Sequence, residues 1–100
     1  MIHRALKLIR QFHSVKQAEL AEKFGMSKSY LSEIESGKKT VSFELLEKYS
    51  EEFEISTSSL VFFSESVSNK NTIPEKFKQF SSGKILDLME WFVAKDRATQ

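Results

Sequence analysis

The sequence predicts an all-α fold, and three observations lead to this prediction. Apolar residues recur three and four positions apart along most of the chain, as at Ala5, Leu6 and Ile9. Almost no segment alternates apolar and polar residues with the period of two that a half-buried strand shows. Gly25 suits a left-handed residue at the end of a helix, and Ser27 suits the capping position before the next one.

The first three predicted helices cover residues 2–12, 17–24 and about 28–36. A short turn at residues 14–16 separates the first two, and Gly37 ends the third. The second helix is expected to bury Ala18, Leu20, Ala21 and Phe24. The third helix is unusually polar, because its apolar positions are Tyr30, Leu31 and Ile34. A helix that presents polar side chains to a partner has this pattern.

Two more serines predict the fourth and fifth helices. Ser42 caps a helix that runs to about Glu52, and Ser56 caps one that ends at Phe63. The fourth helix is expected to bury Phe43, Leu45, Leu46 and Tyr49. Residues 1–63 are therefore predicted to form one domain. The polar segment SESVSNKNT at residues 64–72 is predicted to be a linker.

A C-terminal helical segment is predicted at residues 73–95, followed by a frayed tail at residues 96–100. Pro74 suits the first turn of a helix, and residues 84–95 carry a wide apolar stripe. A stripe this wide must be buried, so we expect one side to pack on its own domain and the other to form a homodimer. The residues expected at the dimer contact are Ile85, Leu88, Met89, Trp91 and Phe92.

Composition limits the function classes. A chain of 100 residues with 40% apolar content is expected to form one small domain, or one domain with an appendage. There is no cysteine, and His3 and His13 are isolated, so no metal site is expected. No nucleophile motif and no glycine-rich phosphate loop is present, so neither an enzyme nor a cofactor is expected. No apolar run is long enough for a signal peptide or a membrane span, so we expect a cytoplasmic protein without a membrane partner.

The net charge of +1 conceals an asymmetry between the two halves of the chain. Nine Lys and Arg against six Glu leave +3 in residues 1–50, and six against eight Asp and Glu leave −2 in residues 51–100. A mildly basic first half permits a polyanion as partner but does not require one.

The stretch QAELAEKFGMSKSYLSEIESGKK at residues 17–39 combines a helix, a glycine-containing turn and a serine-capped polar helix. This order is the sequence cue of a helix-turn-helix. Together with SFELLEKYSEEFEIS at residues 42–56, it resembles the Xre/Cro-type helix-turn-helix of phage and bacterial repressors over about residues 2–63. The resemblance implies a five-helix lambda-repressor-like domain, here with a C-terminal helical extension. Lys28 stands where many members carry Gln, which leaves the base preference open.

The resemblance implies that double-stranded DNA is the partner and that the third helix lies in its major groove. Lys28 would donate to guanine and Glu33 would accept from cytosine. The residues expected to contact bases are Lys28, Ser29, Ser32 and Glu33, and those expected to contact phosphates are Gln17, Ser27, Tyr30, Lys38 and Lys39. The resemblance also implies a structural ion pair between Arg10 and Glu35.

Several of these residues have a plainer interpretation. Lys28 is equally suited to solvent or to a phosphate, and Ser27 caps a helix whatever else it does. Tyr30 would also be explained by packing its ring on the domain surface. Glu33 would be repelled by phosphates unless it pairs with a cytosine or with a neighbouring lysine.

The sequence thus predicts a dimeric transcriptional repressor that binds an inverted-repeat operator through its third helix. One alternative is an antitoxin, with the same DNA-binding domain and with residues 73–95 bound to a toxin. A controller protein of a restriction–modification system is closely related to this alternative. Another is a protein-interaction module that has lost DNA binding.

Overall fold

A computed structural model describes residues 2–68 and 83–98, and these residues form six α-helices without a strand. The helices are α1 (Ile2–Phe12), α2 (Gln17–Lys23), α3 (Lys28–Glu35), α4 (Phe43–Phe53), α5 (Thr57–Ser68) and α6 (Gly83–Ala98). The all-α prediction is confirmed. None of these helices combines the length and the apolar character needed to cross a membrane.

The core forms around α1, which packs against α3, α5 and α6. Its largest fully buried side chains come from every helix: Leu6, Ile9, Leu20, Leu31, Ile34, Tyr49, Leu60, Phe63, Leu88 and Met89. Burial of one such apolar side chain contributes about 1.5–3 kcal/mol. The α2 helix packs on α3, and Leu31 and Ile34 hold α3 against this continuous apolar core.

The turn between α2 and α3 has the geometry that its glycine and serine predict. Gly25 adopts a φ of 68°, its amide donates to Glu22, and the amide of Met26 donates to Ala21. This pair of hydrogen bonds is a Schellman motif, which needs a left-handed residue at its centre. Ser27 then caps α3, since its Oγ accepts from the amide of Tyr30 at 3.0 Å. The turn therefore sets the angle at which α3 leaves α2.

Two residues predicted to be buried are exposed. Ala18 lies on the outer side of the seven-residue α2, whose buried side chains are Leu20 and Ala21. Phe43 is the first residue of α4 and is 66% exposed. The apolar stripe of α4 begins at Leu45 instead, because the first turn projects beyond the core.

The fifth helix continues to Ser68, so the prediction that it ends at Phe63 is wrong. Residues 64–68, predicted as linker, are helical, and Val67 is buried. The hydroxyl of Ser66 donates to the carbonyl of Phe62 at 3.2 Å. Serine hydroxyls that bond to a carbonyl one turn earlier are compatible with a helix interior, and this explains the error. Residues 69–72 of the predicted linker lie outside the described residues.

The last helix folds back on α1 and α5 of the same chain. Leu88, Met89 and Phe92 are buried there, and the ring of Phe92 meets Phe63 edge to face, with centroids 5.8 Å apart. The half-buried Trp91 meets Phe12 in the same manner at 5.5 Å. This burial revises the expectation that Leu88, Met89 and Phe92 face a second chain, because α1 and the long α5 supply an apolar surface wide enough to cover them.

The C-terminal helix ends later than the sequence predicts. The helix continues to Ala98, so residues 96–98 of the predicted frayed tail are helical. The helix start predicted at Pro74 and residues 99–100 lie outside the described residues. Ile85 belongs to α6, but its side chain is outside the described part of the structure.

Candidate nucleic-acid interface

A buried carboxylate at the end of α3 joins four helices. The Glu35 side chain is 1% exposed, and Arg10 of α1 lies beside it with Nη2 2.9 Å from Oε1. The Nε of Arg10 also donates to both carboxylate oxygens at 3.0 Å. Gln17 of α2 donates to Oε1 at 3.0 Å, and the hydroxyl of Tyr49 of α4 donates to Oε2 at 2.7 Å. We call these four residues the Glu35 network.

The network satisfies its buried charges from several directions. Beyond its bonds to Glu35, Arg10 donates from Nη1 to the carbonyl of Val15 at 2.9 Å, which ties down the turn between α1 and α2. A buried ion pair by itself is weak evidence of net stability. Its evident effect here is orientation, because one carboxylate fixes the end of α3 relative to the start of α2 and the middle of α4.

Tyr49 is the member of this network for which the sequence predicts no functional role. It was predicted as a simple core residue because it lies in the apolar stripe of α4. The available signal was its hydroxyl, since a buried tyrosine hydroxyl normally has a hydrogen-bond partner. Burial, together with the nearby Glu35 carboxylate, raises the pKa of Tyr49 well above its usual value. The hydroxyl is therefore a permanent donor over the physiological pH range.

Gln17 is half-buried at the first position of α2, and its amide nitrogen is directed towards Glu35. The residue before it, Lys16, makes no side-chain capping bond. A side-chain amide has two N–H donors, so Gln17 retains one after it bonds to Glu35. The bond to Glu35 fixes the direction of this amide, and its second N–H is the group expected to contact a phosphate.

The outer surface of α3 is polar and open. Lys28, Ser29 and Ser32 are all exposed, while Leu31 and Ile34 on the opposite side are buried. Lys28 and Ser29 stand in the first turn, directly after the cap. These three expected base-contacting residues therefore lie on one accessible helix, and no described side chain covers them.

Glu33, the fourth expected base-contacting residue, is partly engaged. Its Oε2 lies 3.8 Å from Nζ of Lys39, and both side chains are a little under half exposed. The same ammonium lies 5.7 Å from the centroid of the Tyr30 ring, which is 43% exposed. An exposed pair at this distance is worth at most about 1 kcal/mol. Glu33 can readily exchange Lys39 for another partner, so the pair compensates the charge of Glu33 without fixing its side chain.

The loop after α3 folds back on the helix end. The amides of Lys38 and Lys39 both donate to the carbonyl of Glu33, at 2.9 and 3.2 Å, and Gly37 between helix and loop has a φ of 87°. A Cβ on Gly37 would lie 3.0 Å from the ring of His3, so this ring packs directly over the glycine. Partial burial lowers the pKa of His3. The two lysine side chains remain exposed beside α3.

Within the described ranges, no three His, Asp or Glu side chains come together in a way that would hold a metal ion. The chemistry of this surface is that of hydrogen-bond donors, hydroxyls and ammonium groups around a protruding helix. Such a surface suits the edges of bases and the oxygens of phosphates.

A family model described as helix-turn-helix matches residues 6–60. Neither the curated proteins nor the solved structures contain a match. The matched segment runs from the first half of α1 into α5, and it contains all of α2, α3 and α4. It therefore includes the whole Glu35 network and the entire exposed surface of α3.

Proposed function

The chain belongs to the Xre/Cro-type helix-turn-helix family of DNA-binding transcription regulators, and from this membership we propose that it is a homodimeric, sequence-specific repressor. In this proposal it binds an inverted-repeat operator and blocks access to a promoter. A repressor must be in the compartment that contains its operator, so the proposal includes a cytoplasmic location.

The observation that carries the proposal is the contrast between the two sides of α3. One side is buried and joined to α1, α2 and α4 through Glu35, while the other presents Lys28, Ser29 and Ser32 to solvent. A reading helix needs this combination, because base contacts depend on a fixed helix position and on free polar side chains.

We assign base reading to the first half of α3 and its centre. Lys28 would donate to O6 and N7 of a guanine. Glu33 would leave Lys39 and accept from N4 of a cytosine, and the low strength of the present ion pair makes that exchange inexpensive. Ser29 and Ser32 would add contacts that tolerate several bases.

Phosphate contacts would supply most of the affinity. Gln17 would use its second N–H, and the exposed Lys38 and Lys39 would meet the opposite strand. Ser27 would contribute at the start of α3. Tyr30 would approach the backbone with its exposed hydroxyl. Each lysine that neutralises a phosphate adds to the salt dependence of binding.

A dimer would present two copies of α3 to two half-sites one helical turn apart, about 34 Å. The apolar side of α6 is occupied within the chain, so another surface would form the contact. Among the described residues, Val61 on α5 and Phe43 on α4 are exposed apolar side chains suited to it. Half-burial leaves part of Trp91 accessible as a further contact.

The antitoxin alternative is less favoured. It requires residues 73–95 to offer an apolar face to a toxin, but Leu88, Met89 and Phe92 are at most 3% exposed. A toxin that bound these three side chains would have to displace α6 from α1 and α5 first.

The test is selection of duplexes from a random DNA library by the purified protein at moderate salt, with sedimentation analysis of the complex. We expect an enriched inverted repeat bound by two chains. Weak, salt-sensitive binding without enrichment would overturn sequence reading by α3. One chain per enriched site would overturn the dimer.

A further inference from the structure

A groove lies between α1 and α6, beside the carboxyl end of α3. Three cationic side chains line it, Arg4 and Lys7 from the exposed side of α1 and Lys95 from α6. Ser36, the residue that directly follows α3, belongs to the same groove. The groove is thus continuous with the end of the helix that we assign to DNA reading.

The described part of the structure leaves the positive charges of this groove uncompensated. Among the side chains of residues 2–67 and 86–95, no carboxylate forms an ion pair with any of the three cations. The α1 helix contains no acidic residue. Among the described residues, Glu35 is the acidic side chain that borders the groove, and its oxygens are occupied by Arg10, Gln17 and Tyr49.

Neutral partners hold two of these cations in place. The ammonium of Lys95 lies 4.9 Å from the centroid of Trp91 and donates to Oε1 of Gln11 at 3.3 Å. The guanidinium of Arg4 lies 5.9 Å from the centroid of Phe92. Such contacts position a cation but leave its charge available to an anion.

The position of the groove indicates which anion it meets. An α-helix is about 10–12 Å across and the major groove is about 12 Å wide, so phosphates flank a helix that lies in it. Because α1 packs directly against α3 and the groove reaches Ser36 at the end of α3, the exposed side of α1 would lie next to one of those flanks. Arg4 and Lys7 are one turn apart on α1, so the charges form a row and do not converge on one point. A row of cations matches the repeating charge of a DNA strand.

We propose that the DNA-binding surface extends beyond the helix-turn-helix onto α1 and the C-terminal helix, where Lys7 and Lys95 bind phosphates outside each half-site. This inference rests on the proposed function. It assigns to α6 a direct part in DNA affinity, in addition to its place in the core. It also makes affinity depend on the length of the DNA that flanks the operator, without changing the preferred bases.

The test compares the wild type with the double variant Lys7→Gln/Lys95→Gln. Both side chains are exposed, so the fold is retained, which circular dichroism verifies. Arg4 is left unchanged because it packs on Phe92. The control is Lys23→Gln, an exposed lysine that pairs with Glu52 and lies outside the groove.

Dissociation constants are measured by fluorescence anisotropy on two duplexes. One ends at the edges of the operator selected from the random library, and the other extends it by one helical turn, about 10 base pairs, at each end. Log affinity falls linearly with log salt concentration, and each lost phosphate contact makes this line less steep by about 0.9. The dimer loses four contacts, two outside each half-site, so from roughly 50 to 200 mM salt the wild type should lose about 150-fold more affinity than the double variant on the long duplex.

The result that supports the inference is this difference on the long duplex, a smaller one on the short duplex, and wild-type behaviour of Lys23→Gln. If the double variant follows the wild type on both duplexes while the operator is still selected, the inference is overturned and the proposed function stands. The groove would then serve another anion, such as an acidic segment of a protein. If the wild type selects no operator, the proposed function falls, and this extension falls with it.

Discussion

The substitution Glu35→Ala removes the acceptor on which α1, α2 and α4 converge, so it tests the orientation of α3 most severely. The variant loses the bonds from Arg10, Gln17 and Tyr49 at once. Arg10 is left as a buried cation that retains only its bond to the carbonyl of Val15 among the described contacts.

The expected cost follows from this burial. Removal of one partner from a buried ion pair destabilises a protein by about 3–5 kcal/mol, because the remaining charge is uncompensated. The total stability of a small domain is about 5–15 kcal/mol. Each kcal/mol lowers the Tm of a domain of this size by roughly 4–8 °C, so we expect a decrease of roughly 12–40 °C. DNA affinity should fall with it, since Gln17 and the end of α3 lose their common anchor.

The assay is thermal and urea unfolding followed by circular dichroism, with DNA affinity measured at a temperature where the variant remains folded. Glu33→Ala is the matched control, because it removes a glutamate from the same helix whose ion pair is exposed. It should cost under about 1 kcal/mol. The double variant Arg10→Met/Glu35→Leu should be more stable than Glu35→Ala, because it leaves no buried charge.

Equal effects of Glu35→Ala and Glu33→Ala on Tm would refute the reasoning, because the Glu35 network would then contribute nothing beyond a surface pair. A double variant as unstable as the single one would refute the explanation by an uncompensated cation. If the folded Glu35→Ala protein binds DNA with wild-type affinity, Glu35 contributes to stability but does not orient α3 for DNA binding.

Three further predictions concern stability. The pKa of Tyr49 is raised in the folded state, so the stabilising contribution of its hydroxyl is fully present below the unfolded pKa of 10.0. Above that pH the free energy of unfolding should fall by up to about 1.4 kcal/mol per pH unit. Tyr49→Phe should remove this decrease, which urea titrations above pH 10 would show. Phe92→Ala should cost about 3–5 kcal/mol in the same titrations, because α6 belongs to the core; a loss below 1 kcal/mol would mean that α6 is not docked. Gly25→Ala should cost about 1–2 kcal/mol through its positive φ alone, and Gly37→Ala should cost more, because its Cβ also meets the ring of His3. Equal Tm values for the two glycine variants would contradict the His3 contact.

Local chemistry made much of the fold predictable. The Gly25 and Ser27 signals depend on backbone conformation and on capping within a few residues, and the structure has both. The polar outer surface of α3 was predictable because the spacing of polar and apolar residues along a helix shows which side is exposed. The family resemblance, which the match over residues 6–60 confirms, added the pairing of Arg10 with Glu35 that spacing alone does not indicate.

The remaining features depend on partners distant in sequence. Tyr49 lies 14 residues from Glu35 in the sequence, and Gln17 lies 18 residues from it. No local sequence pattern therefore predicts either hydrogen bond. The apolar stripe of α6 predicted burial but not its partner, because a second chain and the α1–α5 surface are chemically equivalent. The sequence predicts a linker at the last serines of α5, because their bonding to helix carbonyls becomes evident only in the folded helix.

In the proposed function, α3 reads bases while the surrounding residues bind phosphates. The decisive measurement is the affinity of wild type, Lys28→Gln and Lys38→Gln for a panel of operators with every single base-pair substitution. Lys28→Gln should lose about 1–3 kcal/mol of discrimination at one position of each half-site, and Lys38→Gln should weaken binding to all operators alike. Uniform weakening by both variants, with discrimination unchanged, would contradict the assignment of base reading to α3.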